Sequence, residues 1–152
     1  MIVRNEQQAL CVAVEMERRA IRVYERALML ANDPQVRAGI QEILSDEKEH
    51  FRRFSQMKEQ CPMAQQDERM LTQAMAAEML IPGGVMELER AKGLDTLKGL
   101  YAFAADSEQD AVDNYLSFAK KCSDAAIAEA FTSIAREEAI HLAELKKKLE
   151  SL

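Results

Sequence analysis

The chain is poor in residues that interrupt a helix or favour a strand. Its 152 residues include three prolines, five glycines, no tryptophan and 5% aromatics, which argues against a fold of many short strands joined by tight turns. Cysteine occurs three times, at Cys11, Cys61 and Cys122. An odd count, wide spacing and the lack of a Cys-x-x-Cys pair exclude a disulfide scaffold and point to reduced thiols in the cytoplasm. A basic patch is also missing. The formal net charge is −6, and the lysine run Lys146, Lys147 and Lys148 falls where a helix C-terminus favours cations, so nucleic acid is not expected as a partner. No window approaches ~18 uncharged apolar residues, and Glu6, Glu15 and Glu17 follow closely on Arg4, so neither a membrane partner nor a secretory signal is expected.

The composition that is present favours helices. Hydrophobic residues make up 48% and charged residues 30%, mostly good helix formers. The length suits one domain over residues 1–152 with a single core. All-α is therefore the expected class.

Four segments carry helical periodicity. The first runs from about Glu6 to Leu30, opened by Asn5 with Gln8 three residues on and closed by Asn32-Asp33-Pro34. Leu10, Ala13, Ala20, Ile21, Tyr24 and Leu28 form its apolar stripe, and Glu17 lies among them. Asp33 caps the second, Pro34 opens it, and it continues to about Lys58. Ile40, Ile43, Leu44, Phe51 and Phe54 share a face with Glu47 and His50. The third, from about Thr96 to Lys121, places Glu108 among Leu100, Ala104, Ala111, Val112, Tyr115 and Phe118. The fourth starts at Ser123 or Asp124 and places Glu138 and His141 beside Phe131, Ile134, Leu142 and Leu145.

These segments pair into two helical hairpins, about 5–58 and 96–150, separated by about 59–95. That stretch is too long for a turn. It suits a crossover travelling the length of a four-helix bundle, about 35 Å for helices of this size. Asp67 to Leu80 can form a short helix within it, Pro82-Gly83-Gly84 breaks it, and Met86 to Ala91 can form another turn.

An internal repeat relates the hairpins. Adding 91 to a residue number takes Ala13 to Ala104, Glu17 to Glu108, Ala20 to Ala111, Tyr24 to Tyr115, Asp33 to Asp124, Ile43 to Ile134, Glu47 to Glu138 and His50 to His141. Glutamate accounts for 18 of the 152 residues, so one Glu-x-x-His would carry little weight. Two copies in register with two Glu-x6-Tyr elements, using both histidines of the chain, carry much more.

Residues three apart on a helix share a face, so Glu47 with His50, and Glu138 with His141, can each present an oxygen and a nitrogen to one small volume. Glu17 and Glu108 add a carboxylate from each remaining helix, the donor pattern of di-iron and di-manganese bundles. Four buried carboxylates without cations would each cost several kcal/mol, so metal should stabilise the fold. Iron, manganese and zinc all accept these oxygen and nitrogen donors. A lone Glu-x-x-His is usually a surface pair, but here both copies share faces with Ile, Phe and Leu. Tyr24 and Tyr115 read equally well as core aromatics or as phenols orienting ligand carboxylates. Glu15 and Asp106 also correspond, but they lie about 200° round their helices from Glu17 and Glu108 and read as solvated. The methionines of the crossover, Met57, Met63, Met70, Met75, Met79 and Met86, together with Cys61, read as a hydrophobic lid or dimer surface rather than a soft-metal site.

Over residues 5–150 the chain resembles the ferritin-like superfamily and, within it, the rubrerythrin group, through Glu17, Tyr24, Glu47-Lys-Glu-His50, Glu108, Tyr115 and Glu138-Ala-Ile-His141. The resemblance implies iron as the ion, with Glu47 and Glu138 bridging two irons, Glu17 and Glu108 as terminal ligands, and His50 and His141 each on one iron. It also implies reduction of hydrogen peroxide, or of dioxygen, to water in defence against oxidative stress. Two features depart from the family pattern. The three cysteines cannot build a rubredoxin-type site, so electrons are expected from an external donor such as a rubredoxin-type protein. Where many peroxide-reducing members have a further glutamate, three residues after Glu108, this chain has Ala111. Two other functions use the same ligands: a ferroxidase for iron storage or detoxification, and a metal-binding helical module without catalysis. A homodimer is the expected assembly, and the long crossover would allow its hairpins to be exchanged.

Overall fold

A computed structural model describes residues 3–78 and 91–152. Every regular element in these residues is a helix: α1 (Glu6–Leu30), α2 (Pro34–Gln60), α3 (Gln65–Glu78), α4 (Leu97–Ala119) and α5 (Ala125–Glu150). The expected Pro82-Gly83-Gly84 break, the turn from Met86, and the positions of Met79 and Leu80 lie outside the described residues. None of the described helices is long and apolar enough to cross a membrane.

Caps set the helix starts. The Asn5 side chain accepts from Gln8 N–H at 2.9 Å, while the Gln8 side-chain oxygen accepts from Arg4 N–H at 2.8 Å. Asp33 Oδ1 accepts from Gln35 N–H at 2.8 Å. Its repeat partner Asp124 does the same for Ala126 N–H at 2.9 Å, so the repeat extends to the capping chemistry. Thr96 caps α4 through Gly99 N–H at 3.0 Å. Two ends shift from expectation: α2 continues to Gln60, and α4 stops at Ala119. Arg37 ties the α1–α2 corner, donating to the carbonyls of Leu28 at 2.6 Å and Ala31 at 3.0 Å.

The closest helix pairs are α1 with α2 and α4 with α5, the two expected hairpins. Buried apolar residues form two clusters. One gathers Tyr24, Ile40, Leu44, Leu100 and Leu145; the other gathers Leu10, Phe54, Tyr115, Phe131 and Ile134. On each bundle helix the buried polar residues, Glu17, Glu47 with His50, Glu108 and Glu138, fall between the stretches that feed these clusters. The polar residues therefore form a layer inside the bundle, with apolar packing on either side.

Gly39 on α2 permits close packing against α4. A Cβ built there would stand 3.1 Å from Leu100 Cδ2. Helix α3 explains a feature the periodicity of α1 did not show: Cys11, Val12 and Val14 are buried in addition to the expected Leu10 and Ala13. Met75 and Leu71 of α3 join the same apolar cluster as Val12, Val14, Met57 and Cys61. That part of the methionine-rich segment covers the bundle as a lid, whereas Met70 faces solvent.

Phe54 is fully buried, packed on Phe131 at 5.2 Å and on Tyr115 at 5.0 Å between ring centroids. Phe54→Ala is expected to lower unfolding free energy by about 3–5 kcal/mol, read from denaturant titration of the metal-free protein.

Candidate metal centre

All six expected ligand positions face one region of the bundle interior. Glu17, Glu47, His50, Glu108 and Glu138 are buried, and the His141 side chain is 28% exposed. Among the described residues, two groups have donor atoms within 4.8 Å of one another: Glu17 with His50 and Glu138, and Glu108 with Glu138 and His141. Glu138 belongs to both. The first group takes two residues from hairpin one and one from hairpin two; the second lies wholly in hairpin two. Glu47 joins neither group and instead sits against the Glu17 carboxyl.

Among the described residues, five buried side-chain atoms lack a hydrogen-bond partner: Glu17 Oε2, His50 Nδ1, Glu108 Oε2, Glu138 Oε2 and His141 Nδ1. All five belong to these two groups. Buried polar atoms are normally paired, so the cluster of exceptions marks where a ligand belongs. His50 Nδ1 lies 2.9 Å from Glu138 Oε1, close to the oxygen without the alignment of a hydrogen bond. His141 Nδ1 is 3.7 Å from Glu138 Oε2. Both imidazoles thus face the shared carboxylate through Nδ1. Carboxylate oxygens and imidazole nitrogens at this spacing fit divalent transition metals.

The outer nitrogens meet a second pair of acids, which the sequence reading did not single out. His50 Nε2 is 3.4 Å from Glu137 Oε2, and His141 Nε2 is 3.8 Å from Asp46 Oδ2. Each acid comes from the opposite hairpin. The signal was present in the repeat, because Asp46 plus 91 is Glu137 and each directly precedes a glutamate of the inner layer. Such outer carboxylates fix the tautomer and orientation of a ligating imidazole.

The two tyrosines are placed differently. Tyr115 donates to Glu17 Oε1 at 2.5 Å, whereas Tyr24 is buried beside the layer, edge-on to Phe103 with ring centroids 5.8 Å apart. Burial drives both phenols well above their usual range, so they remain protonated. Glu15 pairs with Arg18 and Arg19, and Asp106 is exposed, so neither joins the layer. Ala111 packs against the aromatic cluster. No cysteine takes part in either group; burial raises all three thiols, Cys122 to about 11.

Protons hold the metal-free charges in balance. Burial, then the neighbouring Glu17 charge, pushes Glu47 well above the usual carboxyl range, and burial also raises Glu17. Burial opposes ionisation of Glu138, but His141 and His50 outweigh it and hold that carboxyl low. Burial depresses His50, but Glu138 and Glu17 outweigh it and leave the imidazole raised; His141 is raised by Glu138 against its burial.

A family model described as the ferritin-like domain matches residues 5–151. The chain belongs to the ferritin-like domain family. Neither the curated proteins nor the solved structures give a significant match.

The pKa directions set the pH dependence. Glu17, Glu47, His50 and His141 all have raised folded-state pKa values, so their contributions are full below their unfolded values and are lost as pH rises through the folded ones. Glu138, held low, opposes this only towards acid pH. The denaturation midpoint of the metal-free protein is therefore expected to fall between about pH 5 and pH 8. With a divalent metal the trend should reverse, because ligands must shed protons to bind. Denaturant titrations across that range, with and without metal, check both signs.

Proposed function

We propose that the chain is a rubrerythrin-like di-iron oxidoreductase that reduces hydrogen peroxide, or dioxygen, to water with electrons from an external donor. The observation that carries this reading is the position of Glu138, a carboxylate common to two groups that each add one histidine and one further glutamate. One shared acid between two donor sets suits a pair of cations better than a single ion. In this assignment Glu17 and His50 would hold one ion and Glu108 and His141 the other, with Glu138 available to both and Glu47 as a further carboxylate donor. Glu47 would leave its contact with Glu17 on metal binding, exchanging a proton for a cation.

When bound, paired iron supplies two electrons to one oxidant, chemistry that belongs to the metal rather than to any side chain here. The chain's own residues position and protonate. Tyr115 keeps Glu17 Oε1 in place through a phenol that burial holds protonated. Reduction of peroxide to two waters consumes two electrons and two protons, and the half-exposed Asp46 beside His141 offers a short route for protons from solvent. The donor would be a rubredoxin-type protein or a small reductant, and the assembly a homodimer. An exchange of hairpins would preserve both groups by supplying Glu138 to Glu17 and His50 from a second copy.

The test is anaerobic loading with ferrous iron, then rapid mixing with hydrogen peroxide or with dioxygen while the ferric absorbance is followed. Peroxide is expected to oxidise the centre at least about tenfold faster, a barrier difference of ~1.4 kcal/mol. Equal rates, together with iron uptake far beyond two per chain, would replace the peroxidase reading with a ferroxidase for iron storage. Glu138→Gln should abolish tight binding of both ions, whereas Glu108→Gln should weaken the second, as measured by metal content after gel filtration.

A further inference from the structure

We infer that metal ions enter and leave the centre at its His141 edge, and that the Arg53–Glu137 ion pair closes the His50 edge. The inference rests on the two-metal reading above.

The repeat makes the two histidines equivalent, but their surroundings differ. The His50 side chain is 4% exposed and that of His141 28%. Outside His50, Glu137 Oε2 lies 3.4 Å from Nε2 and accepts from Arg53 Nη1 at 2.6 Å. This pair links α2 to α5, and so one hairpin to the other. Outside His141 stands Asp46, 46% exposed. The position matching Arg53 is 144, where the chain has an exposed Glu144. One edge therefore carries opposite charges joined over a buried imidazole. The other has Asp46 against an imidazole that solvent already reaches, with an exposed Glu144 three residues beyond His141 on the same helix.

Both differences act in the same direction. A cation approaching from water is drawn towards Asp46 and Glu144, whereas at the opposite edge Arg53 neutralises the charge of Glu137. An ion held by Glu17, His50 and Glu138 depends on contact between the two hairpins, which the Arg53–Glu137 pair bridges. The Glu108, Glu138 and His141 group sits within one hairpin and opens without separating the two. Release from the His50 position thus requires a larger local opening.

Cobalt(II) release provides the test. The metal-free protein is loaded with cobalt(II), its content measured, and the complex mixed with excess EDTA in a stopped-flow spectrometer. Two phases of equal amplitude are expected. Arg53→Gln should speed the slow phase by up to about fivefold, the most an exposed ion pair supports, and leave the fast phase unchanged. Glu144→Arg, which puts a cation at the position the repeat matches to Arg53, should slow the fast phase alone. Circular dichroism and thermal melts establish that each variant folds. A single phase in the parent protein, an Arg53→Gln effect on the fast phase, or a fast phase indifferent to Glu144→Arg would overturn the inference. Binding of fewer than two cobalt ions per chain would overturn the two-metal reading and this inference with it; the content measured before EDTA is added separates that failure from the others.

Discussion

The constraint on which this bundle depends is the cost of keeping carboxylates out of water. Glu17, Glu47, Glu108 and Glu138 are all nearly inaccessible to solvent, and an isolated buried carboxylate loses several kcal/mol of hydration. Hydrophobic packing does not offset that cost, since apolar neighbours increase the penalty on an ion. The compensation has to be electrostatic and local. Without metal it comes from the raised proton affinity of Glu47 and of the imidazoles, and from the Tyr115 phenol. Cations would supply the same compensation through the orphaned oxygens and nitrogens.

This constraint accounts for the arrangement of the core. A polar layer that must exclude water needs dense packing on both sides, and the two apolar clusters provide it: an aliphatic group around Ile40, Leu44 and Leu100, and an aromatic group around Phe54, Tyr115 and Phe131. The aromatic rings lie 5.0–5.9 Å apart in tilted contacts, which fixes Tyr115 and hence the Glu17 oxygen it touches. Packing and polar geometry are coupled through this residue, because a loosened ring cluster would move the phenol relative to its carboxylate.

Much of this organisation was legible in the sequence because it obeys periodicity. Helix faces, the caps at Asp33 and Asp124, and the convergence of Glu and His follow from residues three and four apart and from the 91-residue repeat. The parts that were not legible depend on contacts between elements. Burial of Val12 and Val14 goes with an apolar cluster that includes Leu71 and Met75 of α3, which no pattern within α1 reveals. Asp46 and Glu137 precede inner-layer glutamates and resemble ordinary surface acids until each is seen beside the histidine of the other hairpin. The difference between Tyr24 and Tyr115 likewise lies beyond the repeat, which treats them alike.

Near-symmetry and its failure have separate physical origins. The inner layer is constrained in both halves by the same requirement, several donor atoms converging in a dry space, so Glu-x-x-His occurs twice in the same register. One shell further out the requirement weakens, because water solvates whichever charge is there. At that distance Arg53 and Glu144 can differ in sign without cost to folding, and His50 and His141 can differ in exposure. Two positions with matched ligands can therefore be given unequal access to solvent through residues that touch neither ion. A change in the inner layer would alter which cations the bundle can hold; a change in this outer shell would alter mainly how they come and go.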